Sequence, residues 1–232
     1  MLITQKGMEM TFNFGKKLII SLLIIAFFVS VFPIGKAVTT GVNDKTVIVL
    51  DAGHGGYDGG VVGLDSGVKE SVINLAIVKL VKGYLESDGY KVVLTRSKDV
   101  ALGDTKQEDM KKRIEIIKSS NCSALVSIHV NFYPPRYRRG IQTFFNKSVD
   151  EAFAKYMQNT LNSHLNYPTL NRNFASLWGD YYILANAPCP ATIIETGFVS
   201  NSDDEKQLLS AEYRMILAYH IFCGIRNYLN EN

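Results

Sequence analysis

The stretch Thr46–Glu70, T-V-I-V-L-D-A-G-H-G-G-Y-D-G-G-V-V-G-L-D-S-G-V-K-E, constrains the fold more than any other part of the chain. Val47, Ile48, Val49 and Leu50 form an unbroken apolar run, the pattern of a central strand covered on both faces. Asp51 ends the run, and glycines at 53, 55, 56, 59, 60 and 63 follow. Such a loop turns sharply and lets the backbone approach a ligand closely. His54 stands just past the C-terminal end of this strand, where open α/β sheets carry their ligand sites. Glu70 falls in the first turn of a predicted helix. A histidine and a carboxylate joined by strand, loop and helix make two thirds of a metal site. The plainer alternative is a histidine that only occupies a turn. A phosphate loop is not indicated, because neither G-x-G-x-x-G nor G-K-[ST] is present.

The rest of the chain repeats the strand-then-helix order. From Ser71 the pattern is helical, with Val72, Ala76 and Leu80 at i, i+4 and i+8 and Gly89 as the stop. A strand over Lys91–Thr95, a helix over about Glu108–Ser119 with Met110, Ile114 and Ile117 inward, and an apolar strand over Ala124–Ile128 come next. Then follow a strand over Gly140–Phe145, a helix over Asp150–Leu165, a strand over Tyr181–Leu184 and an apolar strand A-T-I-I ending at Glu195. Helices over Asn201–Leu209 and Glu212–Leu229 close the chain. This order predicts a single α/β domain with a mixed, mostly parallel central sheet and helices on both faces.

The N-terminal 37 residues are set apart. Leu18–Gly35 is an apolar run preceded by Lys6, Lys16 and Lys17, with Gly35 and Ala37 as small residues of a cleavage site after Ala37. It reads as a signal peptide or as an uncleaved anchor, near the lower length limit for a span. Either way residues 38–232 are exported as one domain. The whole chain has 25 Lys+Arg and 22 Asp+Glu; residues 1–37 hold four basic residues and one acid, leaving 21 of each. A neutral domain gives no reason to expect nucleic acid as a partner. Cys122, Cys189 and Cys223 are odd in number and widely spaced, and are read as buried free thiols.

Two further segments end strands with chemistry-bearing residues. S-I-H-V-N places His129 at the end of the third strand, beside Asn131 as a candidate for orienting substrate; the alternative is a satisfied core histidine. Glu195 follows Ile193 and Ile194, where partial burial is expected to raise its pKa, as a general acid/base requires; the alternative is a cap on the next helix. His164 is read as a capping or surface residue and His220 as a core or helix-face one. The Phe132–Arg139 loop, F-Y-P-P-R-Y-R-R, is either a solvated surface loop or a grip for an anionic glycan or a peptide carboxylate. Two imidazoles and one carboxylate suit a zinc ion with an open position, and a separate carboxylate moves the proton.

D-A-G-H-G-G, K-E opening a helix, S-I-H-V-N and E-T-G-F-V-S-N together resemble the zinc-dependent N-acetylmuramoyl-L-alanine amidases of bacterial cell walls, over roughly residues 46–230. The resemblance implies Zn2+ held by His54, Glu70 and His129, with Glu195 as the catalytic glutamate. It implies a peptidoglycan substrate cut between the lactyl group of N-acetylmuramic acid and L-alanine. A compact domain behind one N-terminal segment most resembles the germination-specific amidases of spore formers, which act in spore cortex maturation towards muramic-δ-lactam. That places the protein at the outer face of the cytoplasmic membrane or in the wall, and in a spore former between the forespore membranes. No wall-binding repeats and no long helix before the Glu195 strand are evident. The expectation is therefore an open site, with membrane contact through the N-terminal segment and regulation by a partner protein. The competing readings are a zinc exopeptidase on free peptides, distinguished by release of single amino acids, and a non-catalytic wall-binding module, which should have lost Glu195 or a ligand.

Overall fold

The computed structural model describes residues 46–231. The apolar run Leu18–Gly35 and the cleavage position at Ala37 lie outside the described residues. Six strands form one sheet: β1 (Val47–Ala52), β2 (Lys91–Leu94), β3 (Ala124–Asn131), β4 (Gln142–Phe145), β5 (Leu177–Trp178) and β6 (Ala191–Phe198). Their spatial order is β2-β1-β3-β6-β4-β5, parallel throughout except where β4 runs antiparallel to β6. The helices are α1 (Glu70–Ser87), α2 (Lys106–Ser119), α3 (Ser148–Leu161), α4 (Tyr167–Leu170), α5 (Tyr182–Asn186), α6 (Ser202–Leu209) and α7 (Ala211–Glu231), with a π turn at Asn162–Asn166 between α3 and α4. Among the described residues no helix is long and apolar enough to cross a membrane.

Strand alternation divides the core. Ile48, Leu50, Val126, Ile128 and Ile194 pack with Ile73 and Ile77 of α1, Phe153 and Met157 of α3, and Leu217 and Ile221 of α7. Val49, Leu125 and Ile193 pack on the opposite face with Ile114 and Ile117 of α2 and Ile183 and Leu184 of α5. The predicted α/β domain with a mostly parallel sheet covered on both faces is the fold found. The same alternation carries Asp51, Ser127, His129 and Glu195 to the α2/α5 face, at or near the C-terminal ends of their strands.

Several local expectations change. Tyr181–Leu184 is not a strand: Tyr182–Asn186 is helical, because a four-residue apolar run does not by itself distinguish the two states. The sheet edge is taken instead by β5, two residues long, which sequence reading missed. The second helix starts at Lys106 because Thr105 and Glu108 form a reciprocal capping box. The fourth strand starts at Gln142, after Gly140 in the left-handed region at φ 103°. The helix after β4 gives way to the π turn at Asn162. Cys122 and Cys189 are not free thiols: they form a disulfide, with Cα atoms 6.0 Å apart and a sequence separation of 67. Cys223 is free.

Candidate active site

The residues of interest come from the sheet's C-terminal edge and the first turn of α1. Gly53 donates its N–H to the Ile128 carbonyl (3.0 Å), continuing the β1–β3 ladder one step past the strand. His54 then takes φ 61°, a left-handed conformation that turns the chain across the edge. Two buried guanidiniums hold this turn from behind. Arg96 donates to the carbonyls of Ala52 (2.8 Å) and Gly53 (2.9 Å), and Arg113 to those of Ala52 (2.7 Å) and His54 (2.6 Å). Arg113 also pairs with Asp51 at 2.7 Å and Asp109 at 2.6 Å. Asp51 accepts from Thr95 and Ser127 as well, both at 2.6 Å. Burial pushes the Asp51 carboxyl up, but Arg113 and the two hydroxyls outweigh it and hold its pKa at about 2.

His54, Glu70 and His129 converge, each offering one ligand atom, all within 4.8 Å of one another. His54 Nε2 lies 3.4 Å from Glu70 Oε2, and His129 Nδ1 lies 3.0 Å from Glu70 Oε1. Ligand atoms around a tetrahedral zinc stand roughly 3.3 Å apart at bond lengths of about 2.0–2.1 Å. The donor set and its spacing therefore fit such an ion. The Asp58 carboxylate accepts from His54 Nδ1 at 2.9 Å, which leaves the Nε2 lone pair facing Glu70.

Glu70 is fixed from several sides. Its Oε2 accepts from Val61 N–H and its Oε1 from Val130 N–H, each at 3.0 Å, and Asn74 Nδ2 donates to Oε1 at 3.2 Å. Burial raises the Glu70 pKa, yet the His129 hydrogen bond, the two imidazoles and the Val61 amide bring it down to about 2. Burial lowers the His129 pKa, but Glu70 and Glu195 together turn the net shift upward. Glu205 holds the preceding loop, accepting from the N–H groups of Asp65 (3.0 Å) and Ser66 (2.8 Å).

Glu195 stands directly across the β3–β6 ladder from His129, as its register partner. Its Oε2 is buried without a hydrogen-bond partner. Burial raises its pKa to about 7; His129 lowers it and Glu70 adds to the rise. Glu195 is thus not a helix cap; Asn201 caps α6, accepting from Asp203 and Asp204 N–H. Asn131 turns its side chain back onto the Phe132 amide (2.8 Å). His164 and His220 stack on each other, centroids 4.4 Å apart, and are not among the converging ligands. In the Phe132–Arg139 loop, Arg136 pairs with Asp65 and Arg139 with Asp203 and Asp204, so these two arginines brace the loop.

The site lies open to solvent: the side chains of His54 and His129 are 25% and 22% exposed. A cavity of about 210 Å³ adjoins them, lined also by Tyr57, Lys106, Met110 and Ile183. Sequence reading missed Asp58, Asn74, Arg96 and Arg113. A signal existed for Arg113, which follows Met110 by three residues and precedes Ile117 by four on the inward stripe of α2. A charge at such a position implies a buried partner.

Comparison with known proteins gives consistent matches. The family model described as N-acetylmuramoyl-L-alanine amidase matches residues 48–227. The germination-specific N-acetylmuramoyl-L-alanine amidase of Bacillus subtilis is 33% identical over 195 residues, covering 80% of each chain. The CwlD amidase of Clostridioides difficile, solved in complex with the GerS lipoprotein, is 34% identical with a TM-score of 0.75, covering 81% of this chain and 100% of that one. The catalytic domain of CwlV, an N-acetylmuramoyl-L-alanine amidase from Bacillus (Paenibacillus) polymyxa var. colistinus, is 29% identical with a TM-score of 0.71, covering 80% and 98%.

Proposed function

The chain belongs to the N-acetylmuramoyl-L-alanine amidase family, and from that premise we propose that it is a zinc-dependent amidase cutting peptidoglycan between the lactyl group of N-acetylmuramic acid and L-alanine. One observation carries the reading: Glu195, half-buried with one carboxylate oxygen buried and unpartnered and a pKa of about 7, sits across one ladder rung from the converging His54–Glu70–His129 set.

His54, Glu70 and His129 would hold the ion, and Asn74, Asp58 and the Val61 and Val130 amides keep those side chains aimed. Bound zinc supplies a Lewis acid for the amide carbonyl and lowers the pKa of water. Glu195 takes a proton from the attacking water and passes it to the departing alanine nitrogen. Its pKa near neutrality suits both halves of that transfer. Asn131 assists by orienting substrate after releasing the Phe132 amide.

In the cell, residues 1–37 direct export as a signal peptide or anchor, and residues 38–232 act at the membrane surface or in the wall. The Cys122–Cys189 disulfide supports an oxidising compartment. The germination-specific relative supports a role in spore cortex, where removal of the stem peptide frees the lactyl carboxyl for muramic-δ-lactam, in the space between the forespore membranes. The lipoprotein complex of the other relative supports regulation by a partner protein.

The test is a pair of variants. Glu195→Gln is expected to lose release of stem peptide from muramyl-peptide by about 10²-fold or more, with stoichiometric zinc retained. His129→Ala is expected to lose the zinc itself, measured by elemental analysis. Undiminished turnover in Glu195→Gln would remove the assigned role.

A further inference from the structure

The β4 side of the cleft holds a cavity that the groups above do not use. Its volume is about 420 Å³, and Tyr137, Phe174 and Phe198 are among its walls. Gln142 also lines it, and Gln142 is the register partner of Glu195 on the antiparallel β4–β6 ladder. The cavity therefore starts one strand away from that carboxylate, about 5 Å across the sheet.

Two arginines line this cavity with no acid beside them among the described residues. Arg136 and Arg139 are bound to Asp65, Asp203 and Asp204. Arg138, between them, has only ring contacts: its guanidinium lies 5.2 Å from the Tyr133 centroid and 5.9 Å from that of Tyr137. Arg172 lies 5.1 Å from the Phe174 centroid, again without a carboxylate partner. A guanidinium over a ring keeps its edge N–H groups free for a bidentate carboxylate. The cavity wall is also preorganised. Gly140 donates to Asp204 at 2.8 Å, and a Cβ there would come within 2.8 Å of Phe174 and 2.9 Å of Leu170. The arginine loop is thus packed directly against the wall that carries Arg172.

Taking the amidase reading as given, we infer that this cavity binds free carboxylates of the stem peptide, so that Arg138 and Arg172 set which side of the scissile amide lies over β4. In intact muramyl-peptide the lactyl carboxyl is tied up in the amide and the sugars are neutral. Every free carboxylate belongs to the peptide, which in the tripeptide means the α-carboxyl of D-glutamate or the diamino acid. The peptide then leaves over β4, and the sugar lies towards the cavity at Tyr57 and Lys106.

The experiment titrates the peptide L-Ala-γ-D-Glu-meso-diaminopimelate into the zinc-loaded full chain by calorimetry. Arg138→Gln/Arg172→Gln is expected to weaken binding roughly 10–100-fold, and the double Lys variant to recover part of it. Amidating the D-glutamate α-carboxyl, or in a second peptide a diaminopimelate carboxyl, is expected to cost a similar factor in the unmodified protein and nothing in the double Gln variant. The peptide that shows this identifies the carboxylate. No measurable binding to the unmodified protein, equal binding by the double Gln variant, or equal amidation penalties in both proteins would overturn the inference. Cleavage of muramyl-tripeptide is followed in parallel. Absent cleavage with arginine-dependent binding intact would strike the amidase reading and leave the carboxylate cavity standing.

Discussion

Gly53 has no room for a side chain. A Cβ there would lie 2.2 Å from His129 Cε1 and 2.4 Å from Nε2. Gly53→Ala is expected to fold, because an imidazole at the end of a side chain can swing aside, but to lose the alignment of His129 with Glu70. Zinc affinity should fall roughly 10–100-fold, read by competition with a chromophoric chelator. Asp58→Ala should weaken zinc by a similar factor through a different atom, since His54 would lose the acceptor for Nδ1. If both variants bind zinc as the parent does, the converging trio is not the metal site. At this scale much was legible. His54, Glu70, His129 and Glu195 were readable because each ends a strand or opens a helix. Asp58 was not, because an aspartate among glycines reads equally well as a turn residue. Arg138 was recognised only as one arginine of a loop; which neighbours lacked acids depends on contacts more than 60 residues away in sequence.

The elements that carry the site are tied at both ends. At the C-terminal ends of β3 and β6 are His129 and Glu195; just before their N-terminal ends are Cys122 and Cys189, joined by the disulfide. Replacing both cysteines by serine releases a 67-residue separation in the unfolded chain. The expected loss is about 2–4 kcal/mol, seen as a lower urea midpoint, with the zinc site retained in the folded fraction. An unchanged midpoint would mean that the link contributes nothing to stability. Parallel pairing explains why this bridge escaped the sequence reading. Three cysteines at wide spacing give no framework signal, and their meeting depends on β3 and β6 being neighbours. The mostly parallel sheet was readable from strands and helices following one another in turn, whereas α5 and β5 were not. Their apolar segments are too short for a period to appear; α5 packs in the cluster with Phe144 and Ile193, and β5 is held by its ladder pairing with Phe144 and Phe145.

For the molecule as a whole, one buried ion pair should shape acid stability. The Asp51 pKa is held at about 2 against an ordinary 3.8. A depressed carboxylate contributes stability that is complete above about pH 4 and lost as pH falls towards 2. The shift corresponds to about 2 kcal/mol. Asp51→Asn should reduce that segment of the pH dependence, leaving the share that belongs to Glu70, whose pKa is also held at about 2. It should also cost about 1–3 kcal/mol at neutral pH, because buried Arg113 loses one of its two carboxylate partners and keeps only Asp109. Urea midpoints between pH 2 and 7 would show both effects, and a variant with the parent's slope would contradict them.

β6 is the last of the described strands, yet it lies between β3 and β4 in the sheet. Until residues 191–198 have been synthesised, the sheet remains two unconnected halves. The carboxylate assigned to proton transfer is missing from every shorter fragment. A product cut short before Glu195 would therefore lack the proton-transfer group, and amidase activity would wait on residues 191–198 joining the sheet.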